Sequence, residues 1–214
     1  MAKVAKFPFN PFQENTYVVY DDSMECIIID PGCYSQQERD ELISFINKTG
    51  LTPVRLINTH CHLDHILGNK FIYKTYGLLP EFTQEEQQVL DSAPQFAGVF
   101  GISFDPSPQP KSYLQAGETL TFGNTGFDIL FTPGHSPGHI TLYSEADRFI
   151  LSADVLFQGS IGRVDLPGGD YDTLINSIEE KLLPLGDDIH VYTGHGPDTT
   201  LAQERQSNPF MVNS

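Results

Sequence analysis

The run Thr59-His60-Cys61-His62-Leu63-Asp64-His65 decides how the rest of the chain is interpreted. It follows an apolar run, Val54–Asn58, whose branched residues are typical of a buried strand. Side chains alternate between the two faces of an extended backbone, so we expect His60, His62 and Asp64 to project together. Imidazole and carboxylate groups are the donors that bind zinc or iron. The motif therefore predicts a metal site at a strand end.

The density of histidine favours a metal over a structural role. The chain has seven histidines, and three of them fall within this motif. Without a cation, crowded imidazoles lose solvation and repel one another whenever they protonate. His65 closes the motif where the chain enters a helix that we expect to end at Gly77. Four donors are thus predicted to converge at one strand end.

Length and composition favour one soluble domain. The chain has 214 residues, of which 39% are apolar and 19% charged, so we predict a single domain over residues 1–214. No run approaches the roughly 20 apolar residues that a membrane span needs, so no membrane partner is expected. No apolar segment follows the basic residues near the start, which argues against a secretory signal.

The net charge and the number of cysteines limit which partners and which cellular compartment we expect. The formal net charge is −16, from 28 acidic and 12 basic residues, and such a surface repels phosphate backbones. We therefore expect a small-molecule substrate and no nucleic-acid partner. The three cysteines are an odd number without Cys-x-x-Cys spacing, which suits a reducing cytoplasm.

The first half is predicted to run strand, strand, helix, strand, helix. The two strands are Thr16–Tyr20 and Cys26–Ile29, joined as a hairpin. Ser35 and Glu38 form a capping box for a helix that ends at Gly50. The motif strand and its helix follow.

The pattern loosens after the motif helix. Thr83 and Glu86 predict a second capping box for a short helix, which Pro94 then interrupts. Phe100 and Phe104 lie in this irregular segment. Because long loops are often functional, they are candidates for a lid or wall over the site, and covering a sheet face is an equal alternative.

The second half is predicted to contain four short strands, a helix and a last strand. In chain order these are Glu118–Phe122, Phe127–Phe131, Ile140–Ser144, Phe149–Ser152, Tyr171–Leu183 and Ile189–Tyr192. Three strand ends deliver one further potential ligand each, namely His135, Asp154 and His195. Small or turn-forming residues surround each of them, which lets the backbone bend beside a metal. Both halves run from strands to helix, which predicts two sheets with outer helices.

These motifs resemble those of the metallo-β-lactamase superfamily, and the chain is most similar to its single-domain bacterial glyoxalase II-like (hydroxyacylglutathione hydrolase-like) group. The matching motifs are Thr59–His65, Thr132–His135, Gly159–Asp170 and Gly194–Pro197. The resemblance implies an α/β (α+β) fold, an αββα sandwich of two mixed sheets flanked by helices.

The resemblance also implies a ligand set for two metal ions. The first ion would be held by His60, His62 and His135, the second by Asp64, His65 and His195, with Asp154 bridging the two. Asp64 and Asp154 would be the catalytic carboxylates. The ions would be divalent, with zinc foremost and iron or manganese as alternatives.

This ligand set predicts a binuclear metal-dependent hydrolase. A water shared by the ions would have its pKa lowered from about 16 towards about 7 and would attack an acyl carbon. A thiol leaves with a pKa of about 8.5 and needs no strong general acid, so a thioester such as S-lactoylglutathione is favoured over an amide. Arg163 is the candidate to meet a substrate carboxylate, or it braces its own loop.

A competing function comes from the same superfamily. Persulfide dioxygenases share the motif, including a cysteine at the Cys61 position, and bind one iron through positions matching His60, His135 and Asp154. A mononuclear iron persulfide dioxygenase is thus the alternative, and the loop that begins at Arg163 favours the hydrolase. A β-lactamase is disfavoured, because we expect those enzymes to carry a cysteine where Asp154 stands and to be exported.

Other residues are given smaller roles. We expect Cys61 to point into packing, and His139 and His190 to be structural or to support the ligands, not to bind the metal. Asp30 either orients a ligand imidazole or caps a turn. Ala153 stands where members of the family that the chain resembles usually have glycine, and we expect only a small packing change there.

Overall fold

The computed structural model describes residues 1–211. The strands, numbered in chain order, are β1 Lys3–Phe9, β2 Glu14–Tyr20, β3 Glu25–Ile29, β4 Thr52–Ile57, β5 Pro80–Glu81, β6 Thr119–Phe122, β7 Thr125–Phe131, β8 Ile140–Ser144, β9 Phe149–Ala153, β10 Leu156–Phe157, β11 Ser160–Ile161, β12 His190–Thr193 and β13 Thr199–Thr200. The α-helices are α1 Gln36–Thr49, α2 Leu63–Ile66, α3 Asn69–Tyr76, α4 Gln87–Phe100, α5 Tyr171–Ser177 and α6 Leu201–Ser207. Three further helical segments are the 3-10 turns Gln84–Glu86 and Leu183–Leu185 and the π-helical turn Ile178–Leu182.

The strands form two mixed sheets and a small hairpin. One sheet has the order β1-β2-β3-β4-β5, the other has the order β13-β12-β9-β8-β7-β6, and β10 pairs with β11. Antiparallel hairpins bring β1 to β2 and β2 to β3, whereas β3 and β4 are parallel and are joined through α1. In the second sheet β9 and β12 are parallel. Parallel neighbours need a crossover connection, which helices provide in both cases.

The chain divides into two compact units. The first comprises Met1–Leu114 with Thr121–Gly126, and the second comprises Gln115–Leu120 and the chain from Phe127 onward. Each unit contains its own cluster of buried apolar side chains. The single domain expected over residues 1–214 stays a prediction.

Helix α1 and the central strands build the core of the first unit. The Ser35 side chain accepts a hydrogen bond from the Glu38 N–H, the Glu38 carboxylate accepts one in return, and Gly50 ends the helix at φ 75°. The predicted capping box is confirmed. Leu42 and Ile46 of α1 are buried among the apolar residues of β2, β3 and β4. Each such burial contributes about 1.5–3 kcal/mol.

The second unit has its core between its sheet and the helix after β11. Strands β8 and β9 are buried along their whole length. Leu174, Ile178 and Leu182 pack against them at helical spacing. The predicted helix Tyr171–Leu183 is regular only through Ser177, beyond which it widens into the π-helical turn.

The segment after α3 differs from expectation. The capping box predicted at Thr83 and Glu86 is wrong, because the Thr83 side chain makes no cap hydrogen bond and Glu86 bonds a distant loop. Helix α4 also continues through Pro94 instead of stopping there. A proline inside a helix costs roughly 3 kcal/mol. The buried apolar face of α4 offsets this cost; it consists of Val89, Leu90, Ala93 and Ala97.

Several elements are absent from the sequence prediction, among them β1 and α6. In β1 the buried and exposed residues alternate only near its end, and Pro8 weakens the strand pattern. Helix α6 is only seven residues long. Among the described residues no helix is long and apolar enough to cross a membrane.

Candidate metal centre

The histidine motif leaves β4 and turns into α2. His62 is the N-cap of α2, with extended backbone angles of φ −62° and ψ 150°, and the helix begins at Leu63. The expectation that Asp64 follows His60 and His62 by strand alternation is therefore wrong. Asp64 lies instead in the first helical turn, where the exposed N–H groups favour a carboxylate.

The motif histidines are close together and mostly buried. The His60 ring centroid lies 4.8 Å from that of His62 and 4.1 Å from that of His65. His65 Nε2 is 3.7 Å from the Asp64 carboxylate. Donor atoms of Asp30, His60 and His65 all lie within 4.8 Å of one another. This is a grouping of His and Asp donors that is capable of holding a metal ion.

Asp30 orients His65. Its Oδ2 lies 3.2 Å from His65 Nδ1, and its two oxygens also accept hydrogen bonds from the Thr59 N–H at 2.7 Å and the Thr59 hydroxyl at 2.6 Å. A carboxylate on Nδ1 keeps the proton there and directs the Nε2 lone pair towards a ligand site. Of the two roles considered for Asp30, the structure supports the orienting one.

Glu14 is a second acid behind His65 that the sequence analysis missed. The carboxylate is fully buried, its Oε1 lies 3.8 Å from His65 Nδ1, and the Thr16 hydroxyl donates to its Oε2 at 2.9 Å. Burial raises the pKa of Glu14 well above its usual value. Gly32 makes room for it, since a Cβ there would lie 2.0 Å from Glu14 Oε2. The one sequence signal was an acid at the start of an apolar strand.

Asn10 holds the backbone of the motif from a turn between β1 and β2. Its Nδ2 donates to the carbonyls of Asp64 at 3.0 Å and Gly32 at 3.1 Å. Asn10 has a φ of 53°, a left-handed conformation that asparagine adopts more readily than most residues. This residue was also missed, because its partners are distant in sequence.

Cys61 points into the core, as predicted. It is buried, and burial raises the pKa of its thiol well above the usual value. A thiol that stays protonated is a poor metal ligand. The Cys61 N–H donates to the buried Glu86 carboxylate at 2.8 Å, so Glu86 anchors the loop between His60 and His62.

In the second unit three predicted ligands follow three strands. His135 comes after β7, Asp154 after β9 and His195 after β12. Asp154 Oδ2 lies 3.5 Å from His135 Nε2 and 3.6 Å from His195 Nε2. Donors that each lie about 2.1 Å from one tetrahedral ion are about 3.4 Å apart, which is longer than a good N–H···O hydrogen bond. These separations fit ligands that share a metal.

Backbone groups hold these second-unit ligands. His135 Nδ1 donates to the Arg163 carbonyl at 2.7 Å, which directs Nε2 towards Asp154. A Cβ on Gly162 would lie 1.9 Å from the Asp154 carbonyl oxygen, and a Cβ on Gly194 would lie 1.9 Å from Asp154 Oδ1. Glycine is required at both positions because nothing larger fits beside Asp154.

Ala153 carries backbone strain that the sequence analysis did not foresee. It has a φ of 41°, in the left-handed region that costs a residue with a Cβ about 1–2 kcal/mol. The expectation of a packing change alone is wrong. The strained residue lies immediately before Asp154, and its carbonyl accepts a hydrogen bond from the Gly194 N–H.

The Arg163 guanidinium lies on the surface beside Asp165. Its Nε and Nη2 each donate to an Asp165 carboxylate oxygen at 2.7 Å. The hydrogen bonds from Arg163 lower the pKa of Asp165 to about 2. Binding of a substrate carboxylate by Arg163 stays a prediction, whereas its backbone carbonyl already bonds His135.

Two histidines and two aromatic residues remain from the sequence analysis. His139 is buried beside the Thr132 hydroxyl and meets the His135 ring edge-to-face, with centroids 6.1 Å apart. His190 lies 3.4 Å from Asp198. Among the described residues, neither histidine belongs to a group of three donors that could hold a metal ion. Phe100 ends α4 and meets the Phe12 ring edge-to-face at 5.5 Å. A lid or wall role for Phe100 and Phe104 stays a prediction.

A comparison with protein families identifies the chain. The model of the metallo-beta-lactamase superfamily matches residues 9–195. The chain belongs to the metallo-β-lactamase superfamily. It is therefore a metallo-hydrolase of that superfamily, and the expected fold class, α+β with two mixed sheets flanked by helices, is confirmed.

Individual relatives cover nearly the whole chain. Hydroxyacylglutathione hydrolase GloC of Haemophilus influenzae is 41% identical over 206 residues, which are 95% of each chain. The structure of BLEG-1 B3 metallo-beta-lactamase has a TM-score of 0.89 at 37% identity and covers 99% of this chain and 100% of that one. TTHA1623 in a di-iron-bound form has a TM-score of 0.88 at 34% identity and covers 97% and 100%.

Proposed function

We propose that this chain is a binuclear metal-dependent thioesterase of glyoxalase II type that acts on acyl-thioesters such as S-lactoylglutathione. The observation that carries the proposal is the placement of Asp154 Oδ2 3.5 Å from His135 Nε2 and 3.6 Å from His195 Nε2, separations suited to a carboxylate that shares one ion with each imidazole. The description of the 41%-identical relative as a hydroxyacylglutathione hydrolase supports the thioester class.

The proposed ligand set combines the donors of both units. His60, His62 and His135 would hold one ion, Asp64, His65 and His195 would hold the other, and Asp154 would be a ligand of both. Nitrogen and carboxylate oxygen donors suit zinc, iron and manganese, and the protonated Cys61 adds no thiolate. We propose zinc as the resident metal, with iron as the principal alternative because a 34%-identical structure is di-iron-bound.

The residues present suit hydrolysis of a thioester. Divalent ions held there lower the pKa of water and act as Lewis acids towards a carbonyl. Asp30 and the Arg163 carbonyl hold the Nδ1 protons of His65 and His135, so that both Nε2 atoms serve as ligands. A thiolate leaves without a general acid, since its conjugate thiol has a pKa of about 8.5.

We further propose a small-molecule partner, with neither nucleic acid nor membrane, and a cytoplasmic location. The net charge of −16 supports the proposal that neither nucleic acid nor a membrane is a partner, because it opposes binding to phosphate-rich surfaces. The three cysteines are free and buried, which is compatible with a reducing compartment.

A second candidate function is β-lactam hydrolysis. Sequence reasoning set it aside on the expectation of a cysteine at the Asp154 position. A 37%-identical structure is nevertheless described as a B3 metallo-beta-lactamase, so this activity belongs in the same test.

The test is metal content followed by a substrate panel. Protein expressed with zinc and iron both available is measured for ions per chain and assayed on S-lactoylglutathione, a persulfide with oxygen uptake, and a chromogenic cephalosporin. Near two ions per chain with thioester turnover supports the proposal. One iron per chain with oxygen uptake overturns it in favour of the dioxygenase, and cephalosporin turnover without thioester turnover favours the lactamase. Asp154→Asn is the inactive control, with turnover lower by orders of magnitude.

A further inference from the structure

We propose that the buried carboxylate of Glu204 is a positioning residue for the metal ligands of the second unit, acting through the β10–β11 hairpin. The inference rests on the proposed function, because it takes His135, Asp154 and His195 as ligands. Glu204 lies on α6, a helix that the sequence analysis did not predict, and its role is built from contacts within the second unit.

Glu204 is fully buried and bonded on both oxygens. Its Oε2 accepts hydrogen bonds from the Gly159 N–H and from Asn208 Nδ2, each at 2.8 Å, and its Oε1 accepts one from the Thr199 hydroxyl. Burying a carboxylate is costly unless charge-assisted hydrogen bonds compensate. One of the three donors is the Gly159 N–H, in the turn that joins β10 to β11. The hydrogen bond that compensates for burial of the carboxylate therefore also holds the hairpin.

The β10–β11 hairpin needs contacts with other residues to be stable. Each of its strands contains two residues, and an isolated two-stranded hairpin is marginally stable at best. Glu204 binds the Gly159 N–H, and Asn208 Nδ2 donates to the Ser160 carbonyl at 3.0 Å. The two side chains of the α6 segment thus clamp neighbouring residues of one turn. The β10–β11 pairing, Phe157 with Ser160 and Leu156 with Ile161, connects the clamped turn to the two ends of the hairpin.

Each of the three ligands touches this hairpin or one of its ends. Asp154 lies two residues before β10. The His195 ring packs against the Phe157 ring of β10, with centroids 6.2 Å apart. His135 Nδ1 donates to the carbonyl of Arg163, two residues after β11. The hairpin therefore positions Asp154 by chain connection, His195 by a ring contact and His135 by a hydrogen bond.

The exit of the hairpin leaves little room for movement. The Gly162 N–H donates to the Val155 carbonyl at 3.2 Å, and a Cβ on Gly162 would lie 1.9 Å from the Asp154 carbonyl oxygen and 3.1 Å from His135 Nδ1. A shift of the hairpin is therefore passed directly to both ligands. Because Glu204 is fully buried, it acts on the ligands and not on the substrate.

The experiment compares Glu204→Ala with Thr200→Ala. Thr200 caps α6 by accepting the Gln203 N–H, so its loss weakens the same helix without removing a bond to the hairpin. Both variants and the wild type are measured for zinc affinity by chelator competition, for melting temperature and for kcat and KM. Long-range ¹H–¹⁵N NMR of the metal-free proteins reports the His135 tautomer.

The expected result separates positioning from stability. Glu204→Ala loses about 10- to 100-fold in zinc affinity, as other residues that orient metal ligands do, and its His135 signal shows mixed tautomers. Glu204→Gln recovers part of the loss, because its amide oxygen still accepts the Gly159 N–H. Thr200→Ala lowers the melting temperature and keeps wild-type zinc affinity and tautomer.

Several outcomes overturn the inference. Wild-type affinity and tautomer in Glu204→Ala would do so, and so would a Thr200→Ala variant that loses as much affinity at a matched melting temperature. If Glu204→Ala does not fold, Asn208→Ala decides: a several-fold loss of zinc affinity supports the clamp and wild-type affinity removes it. A wild-type protein that binds neither zinc nor iron overturns the proposed function and this inference together. Zinc affinity that is unchanged in Glu204→Ala, when the wild type binds zinc, overturns the inference alone.

Discussion

The two units hold their candidate ligands in different ways. In the first unit the ligands are neighbours in sequence, and buried acids stand behind them: Asp30 and Glu14 face His65, and Glu86 anchors the loop at Cys61. In the second unit the ligands are spread from residue 135 to residue 195, and backbone carbonyls and glycines surround them. The compact motif is thus contacted directly by charged side chains, whereas the dispersed ligands are contacted directly by backbone groups, and the buried acid Glu204 reaches them only through the hairpin. Perturbing each kind of support tests the difference.

The largest effect is expected from filling the space beside Asp154. In Gly194→Ala the new Cβ would lie 1.9 Å from Asp154 Oδ1 and must displace it. Since a 1 Å misplacement of a reacting group costs about 100-fold, we expect kcat/KM for the thioester to fall by about 100-fold or more. The matched control is Gly98→Ala, where a Cβ meets nothing within 4 Å. Near-normal activity in Gly194→Ala would show that the second unit tolerates backbone displacement.

Removing charge behind the first-unit ligands is the second test. Asp30→Asn loses the carboxylate that faces His65 Nδ1 and Thr59. We expect zinc affinity to fall by about 10- to 100-fold, measured by chelator competition. Asp105→Asn, an exposed carboxylate of the same unit, is the control and should bind zinc as the wild type does. Equal affinities in the two variants would contradict orientation by charge.

Asp21 tests whether a buried carboxylate of the first unit also stabilises the fold away from the candidate ligands. Burial opposes ionisation of Asp21, yet hydrogen bonds from Ser23, Thr125 and Asn124 lower its pKa to about 2. A lowered pKa stabilises the fold above the unfolded value near 4, and this contribution is lost as the pH falls through about 2.

We therefore expect Asp21→Asn to destabilise the protein by about 1–2 kcal/mol at pH 7, with the difference from wild type vanishing near pH 2. Denaturant unfolding at several pH values measures it. A difference that does not depend on pH would assign the loss to altered hydrogen bonding instead of charge.

The smallest effect concerns the strained residue before Asp154. Ala153→Gly relieves a φ of 41°. We expect it to stabilise the second unit by about 0.5–1 kcal/mol, because glycine adopts this conformation without the Cβ clash. Ala97→Gly, in the interior of α4, should destabilise by about 1 kcal/mol and so has the opposite sign. Thermal unfolding of both variants checks the pair, and destabilisation by Ala153→Gly would exclude strain at this site.

Local sequence determined much of the fold. The capping box and terminal glycine of α1, the hairpin of β2 and β3, and the strands before each ligand follow from patterns that span only a few residues. The candidate ligands were also readable, because the motif is contiguous and the others follow apolar strands. Local propensity was overruled at Pro94, where the buried face of α4 outweighs the lost hydrogen bond.

Only the tertiary structure decided what supports the ligands. Asn10 reaches the Asp64 carbonyl across 54 residues of sequence, Cys61 reaches Glu86 across 25, and Glu204 reaches Gly159 across 45. No helical or strand period links residues so far apart, and a polar side chain in a helix or turn has the same local pattern whether it faces water or a buried backbone group. Burial and partner are properties of the folded chain, and they distinguish these residues from ordinary surface acids and amides.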